Sequence, residues 1–238
     1  MPNSQETNAD PSLDLGQATW PQVAARVRHA VLVPLGSLEQ HGPHLPLDTD
    51  TRVALAVAQA AAARRGMPVS PPLALGASGE HAAFPGTLSI GTGALTELLV
   101  ELGRDATSHW GAMLVVNGHG GNLDAVTAAM AQLSAEGRHC GAYHATPRAG
   151  DAHAGRTETA LLLHLDPSLV RLELAEAGNP RPISELMGRL RREGVRAVSR
   201  NGVLGDPRGA TAAEGRRLLD ELAGACVNAL DALLERRA

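Results

Sequence analysis

Three short stretches gather the residues most able to do chemistry. The first runs Gly36-Ser-Leu-Glu39-Gln-His41-Gly-Pro-His44-Leu-Pro-Leu-Asp48-Thr-Asp50. The second is Asn117-Gly-His119-Gly-Gly-Asn122, and the third is Asp151-Ala-His153-Ala-Gly-Arg-Thr-Glu158. Histidine, aspartate and glutamate are the ligand set of catalytic zinc, manganese and iron centres. Glu39 and His41 are two apart, a spacing that puts both on one face of an extended segment. His119 is flanked by glycines, which allow close backbone approach and unusual dihedrals. Each residue alone also suits a plainer duty. Asp50 can cap a helix, 118–122 can be only a tight turn, and His153 can be held by hydrogen bonds in its loop. Glu158 can complement a helix amino terminus. Their joint appearance on three loops is what points to a metal centre.

Each stretch follows an apolar run that must position it. Residues 29–35, 112–116 and 140–146 read as strands, and 69–75 as a weaker one. Residues 51–65, with Asp50 as N-cap, and 95–109, 122–136, 157–165 and 211–237 read as helices. The alternation predicts an α/β fold, a three-layer α/β/α sandwich with a mostly parallel central sheet. Ligand sites of such sheets lie beyond the carboxyl ends of the strands. All three stretches fall there, so they are expected to converge. Residues 1–18 read as a flexible amino-terminal arm and 19–238 as one domain. Residues 177–206, rich in Gly, Pro and Arg, read as a flap or subunit-contact insertion.

Composition narrows the function. The chain has 238 residues, 44% of them hydrophobic, enough for one sizeable core. Aromatics are 2%, namely Trp20, Phe84, Trp110 and Tyr143, so the core is built from Leu, Val and Ala. No aromatic stripe or basic face is present to hold bases, and the net charge is −4, so no nucleic-acid partner is expected. All 21 basic side chains are arginine, which excludes a Schiff-base, pyridoxal-phosphate or P-loop lysine. Cys140 and Cys226 form no paired motif, so neither thiolate zinc nor a disulfide framework is expected. No apolar run of about 18 residues and no signal peptide is seen, so no membrane span is expected and the cytoplasm is the expected compartment. Nucleophile-elbow, His-Glu-x-x-His and dinucleotide fingerprints are absent from the sequence. His29, His109, His139, His144 and His164 read as packing or surface residues. His44 and His81, in Gly/Pro-rich loops, receive no role. Ser78, in the glycine-rich loop 76–80, is a candidate for holding substrate.

The stretches 34–50 and 117–122 resemble the signature of the creatininase family, and the resemblance runs from about Trp20 to the carboxyl end. Segments 76–81 with 84–87, 150–155, and 202–207 with 210–215 further resemble a subgroup of peptidases acting in mycofactocin maturation. That subgroup removes a modified carboxyl-terminal Val-Tyr dipeptide from a ribosomally made precursor peptide.

The resemblance implies two divalent ions per chain, zinc plus iron(II) or manganese, bound by Glu39, His41, Asp50 and His119, with Asp50 bridging. It implies a nitrogen-rich site of His41, Asp50 and His119, and an oxygen-rich site of Glu39, Asp50 and another carboxylate. Creatinine-hydrolysing members carry a metal-binding glutamate where this chain has Gly121. Glu158 is expected to replace it. His153 matches the family histidine near the scissile bond, and proton transfer to the leaving nitrogen is its expected task. The implied partner is a peptide substrate, and the implied assembly a homo-oligomer, hexameric by analogy. A small cyclic amide or a formamide is the alternative substrate. An inactive metal-bound scaffold that binds a peptide is the alternative of another class.

Overall fold

The computed structural model describes residues 13–25, 29–147 and 150–236. Two runs, β2 (Val31–Leu35), apolar throughout, and β4 (Met113–Asn117), apolar up to Asn117, form the centre of the sheet, each buried along its whole length. They pair in parallel over five residues, with Leu32 opposite Leu114 and Leu35 opposite Asn117. On the far side of β4 lies β5 (Cys140–His144), again parallel. On the far side of β2 lie β3 (Pro68–Val69) and β1 (Leu13–Asp14). The order is β1-β3-β2-β4-β5, and every pairing is parallel.

Helices cover both faces, giving the three layers expected of the α/β sandwich. Leu32, Leu114 and Val116 pack against α2 (Thr49–Ala63), α5 (Arg156–Leu165) and α8 (Ala212–Glu235). Val31, Val33, Leu35, Met113 and Val115 pack against α3 (Gly91–His109) and α4 (Leu123–Ala135). Alternate residues of one strand thus serve opposite cores, as the two-residue period requires. A short α1 (Trp20–Ala24) precedes β2, and α6 (Ile183–Glu193) and α7 (Val195–Val198) lie in the 177–206 segment.

Some details differ from the sequence reading. The strand expected at 69–75 shrinks to two residues plus an isolated bridge from Leu73 to Leu35. Pro71 and Pro72 cannot donate to a ladder, and Pro34 of β2 lacks its donor on the same side, where its carbonyl meets Leu73 N at 2.9 Å. Leu13 and Asp14 form an edge strand instead of belonging to the arm; the rest of the arm, 1–12, lies outside the described residues. Helix α3 begins at Gly91 rather than at Leu95, because Gly91 and Gly93, weak helix formers, are carried into its first turn. Helix α2 starts at Thr49, so Asp50 sits in its first turn and Asp48 takes the cap position.

The carboxyl ends of β2 and β4 point the same way, and the chain leaves them into 36–50 and 118–122. Gly118 makes this junction possible. A Cβ there would lie 2.5 Å from the carbonyl oxygen of Asp50, so only glycine lets α2 seat against the end of β4.

Candidate metal centre

A cluster of polar side chains converges beyond these strand ends. Glu39 and His41 are fully buried, Asp50 and His119 nearly so, and His81 and His153 join them at 3% and 8% exposure. Asp50 is central. Its Oδ1 lies 3.1 Å from His41 Nε2, and its Oδ2 lies 3.0 Å from His119 Nδ1. Ser37 donates its hydroxyl to Oδ2 at 2.8 Å. One imidazole thus faces each oxygen.

Glu39 Oε2 lies 3.1 Å from His119 Nε2, and Oε1 lies 3.1 Å from His81 Nε2. Both oxygens are buried, yet neither accepts a hydrogen bond. Leaving a buried carboxylate without partners costs free energy that a bound cation would recover. Glu39, Asp50 and His119 offer ligand atoms within 4.8 Å of one another, and so do His41, Asp50 and Glu158. A third such group joins Glu39, His41 and His153. The donor set therefore fits two divalent ions sharing Asp50. The grouping differs from the expected nitrogen-rich and oxygen-rich sites. His41 and His119 approach opposite oxygens of Asp50, so each group has one imidazole and two carboxylates. Glu158, in the first turn of α5, lies 3.9 Å from His41 Nε2 and accepts the Ala154 N–H at 2.6 Å.

Electrostatics follow from burial and pairing. Burial pushes Glu39 and Glu158 up to about 7, against the pull of neighbouring imidazoles. Burial also acts on Asp50, but His41 and His119 outweigh it and hold the carboxyl well below its usual range. His41 is raised to about 10, because Asp50, Glu158 and Glu39 overcome the cost of burying its charge. His153 is held well below the ordinary histidine range by burial and by the neighbouring His41 and His81. Its ring lies between theirs, with centroids 4.4 and 4.6 Å away.

The 151–154 loop is braced by the 177–206 segment. Leu204 N donates to the His153 carbonyl at 2.8 Å, and Ala152 N to the Leu204 carbonyl at 3.0 Å. Ala154 takes φ of +50°, a left-handed conformation rare for a residue with a side chain. Ser78, fully buried, has its Oγ 3.4 Å from His119 Nε2. Gln40, Glu80 and His81 also belong to the centre, and the sequence alone assigns them no role. Glu80 Oε1 lies 3.4 Å from His119 Nε2, in the space a side chain at Gly121 would need. Their one legible cue is proximity, since Gln40 separates two candidate ligands and Glu80 and His81 follow Ser78.

Among the described residues, no helix is long and apolar enough to cross a membrane. Residues 16–230 match the creatininase family, described as creatinine amidohydrolase. Over 220 residues the chain is 52% identical to the mycofactocin precursor peptide peptidase of Mycolicibacterium smegmatis, covering 90% of this chain and 89% of that one. Two solved structures, a manganese creatininase and a mutant creatininase of Zn-Zn type, superpose with TM-scores of 0.77 and 0.76 at 25% identity. Each alignment covers 92% of this chain and 97% of the other. The chain belongs to the creatininase family and is a metal-dependent amidohydrolase of that family.

Proposed function

We propose that this protein is a dinuclear metallopeptidase that releases the carboxyl-terminal Val-Tyr dipeptide from the modified mycofactocin precursor peptide. The observation that carries the hydrolytic part is the buried, unpartnered Glu39 carboxylate beside two donor groups that share Asp50. The substrate rests on the likeness, over nine-tenths of the chain, to a peptidase named for that precursor.

Glu39, Asp50 and His119 would hold one ion, and His41, Asp50 and Glu158 the other, zinc with iron(II) or manganese suiting the mixed nitrogen and oxygen donors. Divalent ions bound there activate water and polarise the scissile carbonyl. The chain's own residues do the rest. Asp50 and the two imidazoles beside it fix the separation of the donor groups. His153 Nε2 is occupied by the Gln40 carbonyl oxygen at 2.8 Å, which leaves Nδ1 facing Glu39 Oε1 at 3.8 Å. His153 takes a proton at Nδ1 and delivers it to the leaving nitrogen as the C–N bond breaks. The hydroxyl of the same water ends on the carbonyl carbon, so one water is consumed. Ser78, the candidate for holding substrate, is fully buried with its Oγ 3.4 Å from His119 Nε2, so it would act on substrate through that imidazole. A homo-oligomer, by analogy alone, acting in the cytoplasm is part of the same proposal.

The test is mass spectrometry of the modified precursor after incubation with metal-loaded protein. Appearance of the dipeptide with the matching shortened peptide is expected. An intact precursor alongside hydrolysis of creatinine or a formamide would overturn the substrate while leaving the family.

A further inference from the structure

Gln40 lies between two candidate ligands, Glu39 and His41, and its side chain has no part in the hydrolysis proposed here. Its side chain is 5% exposed and makes contacts of fixed polarity on both ends. Oε1 accepts the Gly42 N–H at 2.9 Å, and only an oxygen can do so. Nε2 faces the Gly202 carbonyl oxygen at 3.2 Å, and only a nitrogen can donate there. These two contacts settle the orientation of the amide. Gly202 has φ of +83°, and a Cβ on it would overlap the Gln40 amide. The position is therefore shaped around this side chain.

Two imidazoles then meet Gln40. His81 Nδ1 lies 2.9 Å from Gln40 Nε2, and His153 Nε2 lies 2.9 Å from the same atom. His153 Nε2 also lies 2.8 Å from the main-chain carbonyl oxygen of Gln40. A carbonyl oxygen only accepts, so this contact is a hydrogen bond when the nitrogen carries the hydrogen, and the 2.9 Å contact with Gln40 Nε2 is then not one. The two amide hydrogens are then left for His81 Nδ1 and for Gly202. With Nδ1 accepting, a neutral His81 carries its own hydrogen on Nε2, which is 3.1 Å from Glu39 Oε1. The His81 Nε2–H then lies on the Glu39 side of the ring without being aligned on Oε1.

We propose that Gln40 is a positioning residue that sets both tautomers. Its amide fixes His81 with the hydrogen on Nε2, and its carbonyl fixes His153 with the hydrogen on Nε2. His81 Nε2 and His153 Nδ1 then lie on the Glu39 side of their rings, 3.1 and 3.8 Å from Oε1. The chain of contacts Glu39–His81–Gln40–Gly202 ties a metal ligand to the 177–206 segment. Outer partners of this kind orient ligands, and their loss typically lowers metal affinity about 10–100-fold. The inference rests on reading this cluster as a metal centre and is independent of the substrate.

Long-range proton–nitrogen NMR on histidine-labelled, zinc-loaded protein reads the tautomers directly. Both His81 and His153 are expected as the Nε2–H form. Gln40→Glu removes the donor and should convert His81 to the Nδ1–H form. It should leave His153 unchanged, because the main-chain carbonyl remains. Gln40→Leu should weaken zinc about 10–100-fold in a competition titration with a chromophoric chelator. Nδ1–H on either imidazole of the wild-type protein would overturn the assignment, whatever the variants do. So would a His81 tautomer unmoved by Gln40→Glu. Correct tautomers with undiminished zinc affinity in Gln40→Leu would overturn the positioning role. None of these readings involves the precursor peptide, so failure of the substrate proposal is separately visible.

Discussion

Both oxygens of Glu39 are buried and lie 3.1 Å from imidazole nitrogens, yet neither accepts a hydrogen bond. A fold that keeps such a carboxylate has a cation to put beside it. The same logic separates Glu158 from Glu39. Glu158 spends one oxygen on the Ala154 N–H, so part of its value is local. Its loss should remove the ion of the His41, Asp50 and Glu158 group and spare the other. Elemental analysis of Glu158→Ala is expected to find one ion per chain where the parent holds two. Two firmly held ions would return Glu158 to the capping of its loop. His153 differs again, with one nitrogen committed to the Gln40 carbonyl. His153→Ala should lower turnover about 10²–10⁴-fold while metal content stays near that of the parent. If the ions leave together with the activity, His153 is a ligand, in keeping with its grouping beside Glu39 and His41.

At the scale of elements, the centre depends on loop 76–81 packing under the turn at 119–122. A Cβ on Gly121 would overlap the Glu80 carboxylate, the Ala77 carbonyl and the His119 ring. The glutamate that creatinine-hydrolysing members carry at this position therefore cannot simply be restored. Gly121→Glu should destabilise the fold by about 1–3 kcal/mol, the usual cost of overpacking, and reduce bound metal. A denaturant melt and metal count check this, and unchanged values in both would contradict the packing argument. The same contact marks the limit of what the sequence reveals. Glu39, His41, Asp50, His119 and Glu158 are visible because each sits just after a strand or at a helix start, which local patterning reveals. Gln40, Glu80 and His81 are not, since their approach is set by loops meeting in space, which leaves no period to read. The elements divide likewise. β2, β4, α4 and α5 announce themselves by apolar runs and glycine or proline stops. The two residues of β1, and the proline-broken end of β3, carry too little pattern. Asp50 reads as a cap because caps and first-turn acids share the same neighbourhood in sequence; its carboxylate instead turns toward His41 and His119.

For the whole molecule, the burial of so many ionisable groups couples stability to pH and to metal. Without metal, burial holds Glu39 and Glu158 up to about 7, above their ordinary 4.5. The folded state then holds protons that the unfolded chain has released, and stability falls as pH rises through that window. His41, raised from 6.5 to about 10, adds stability that is complete below 6.5 and lost toward 10. His44 and His81, lowered to about 4 and about 3, act on the acid side, where stability falls as pH drops below 6.5. Melting temperatures of chelated protein should therefore decline above about pH 6.5. Bound zinc, which needs deprotonated ligands, should reverse that decline. Parallel pH curves with and without zinc would show that the cluster does not take up metal.

The claim that two ions and this peptide belong together is tested most directly by stripping and restoring the metal. Protein depleted with chelator, and verified empty by elemental analysis, is incubated with the modified precursor and followed by mass spectrometry. The account predicts no dipeptide release from the stripped protein, and recovery as zinc, manganese or iron(II) is restored to two equivalents per chain. Undiminished release of the dipeptide by verified metal-free protein would contradict it.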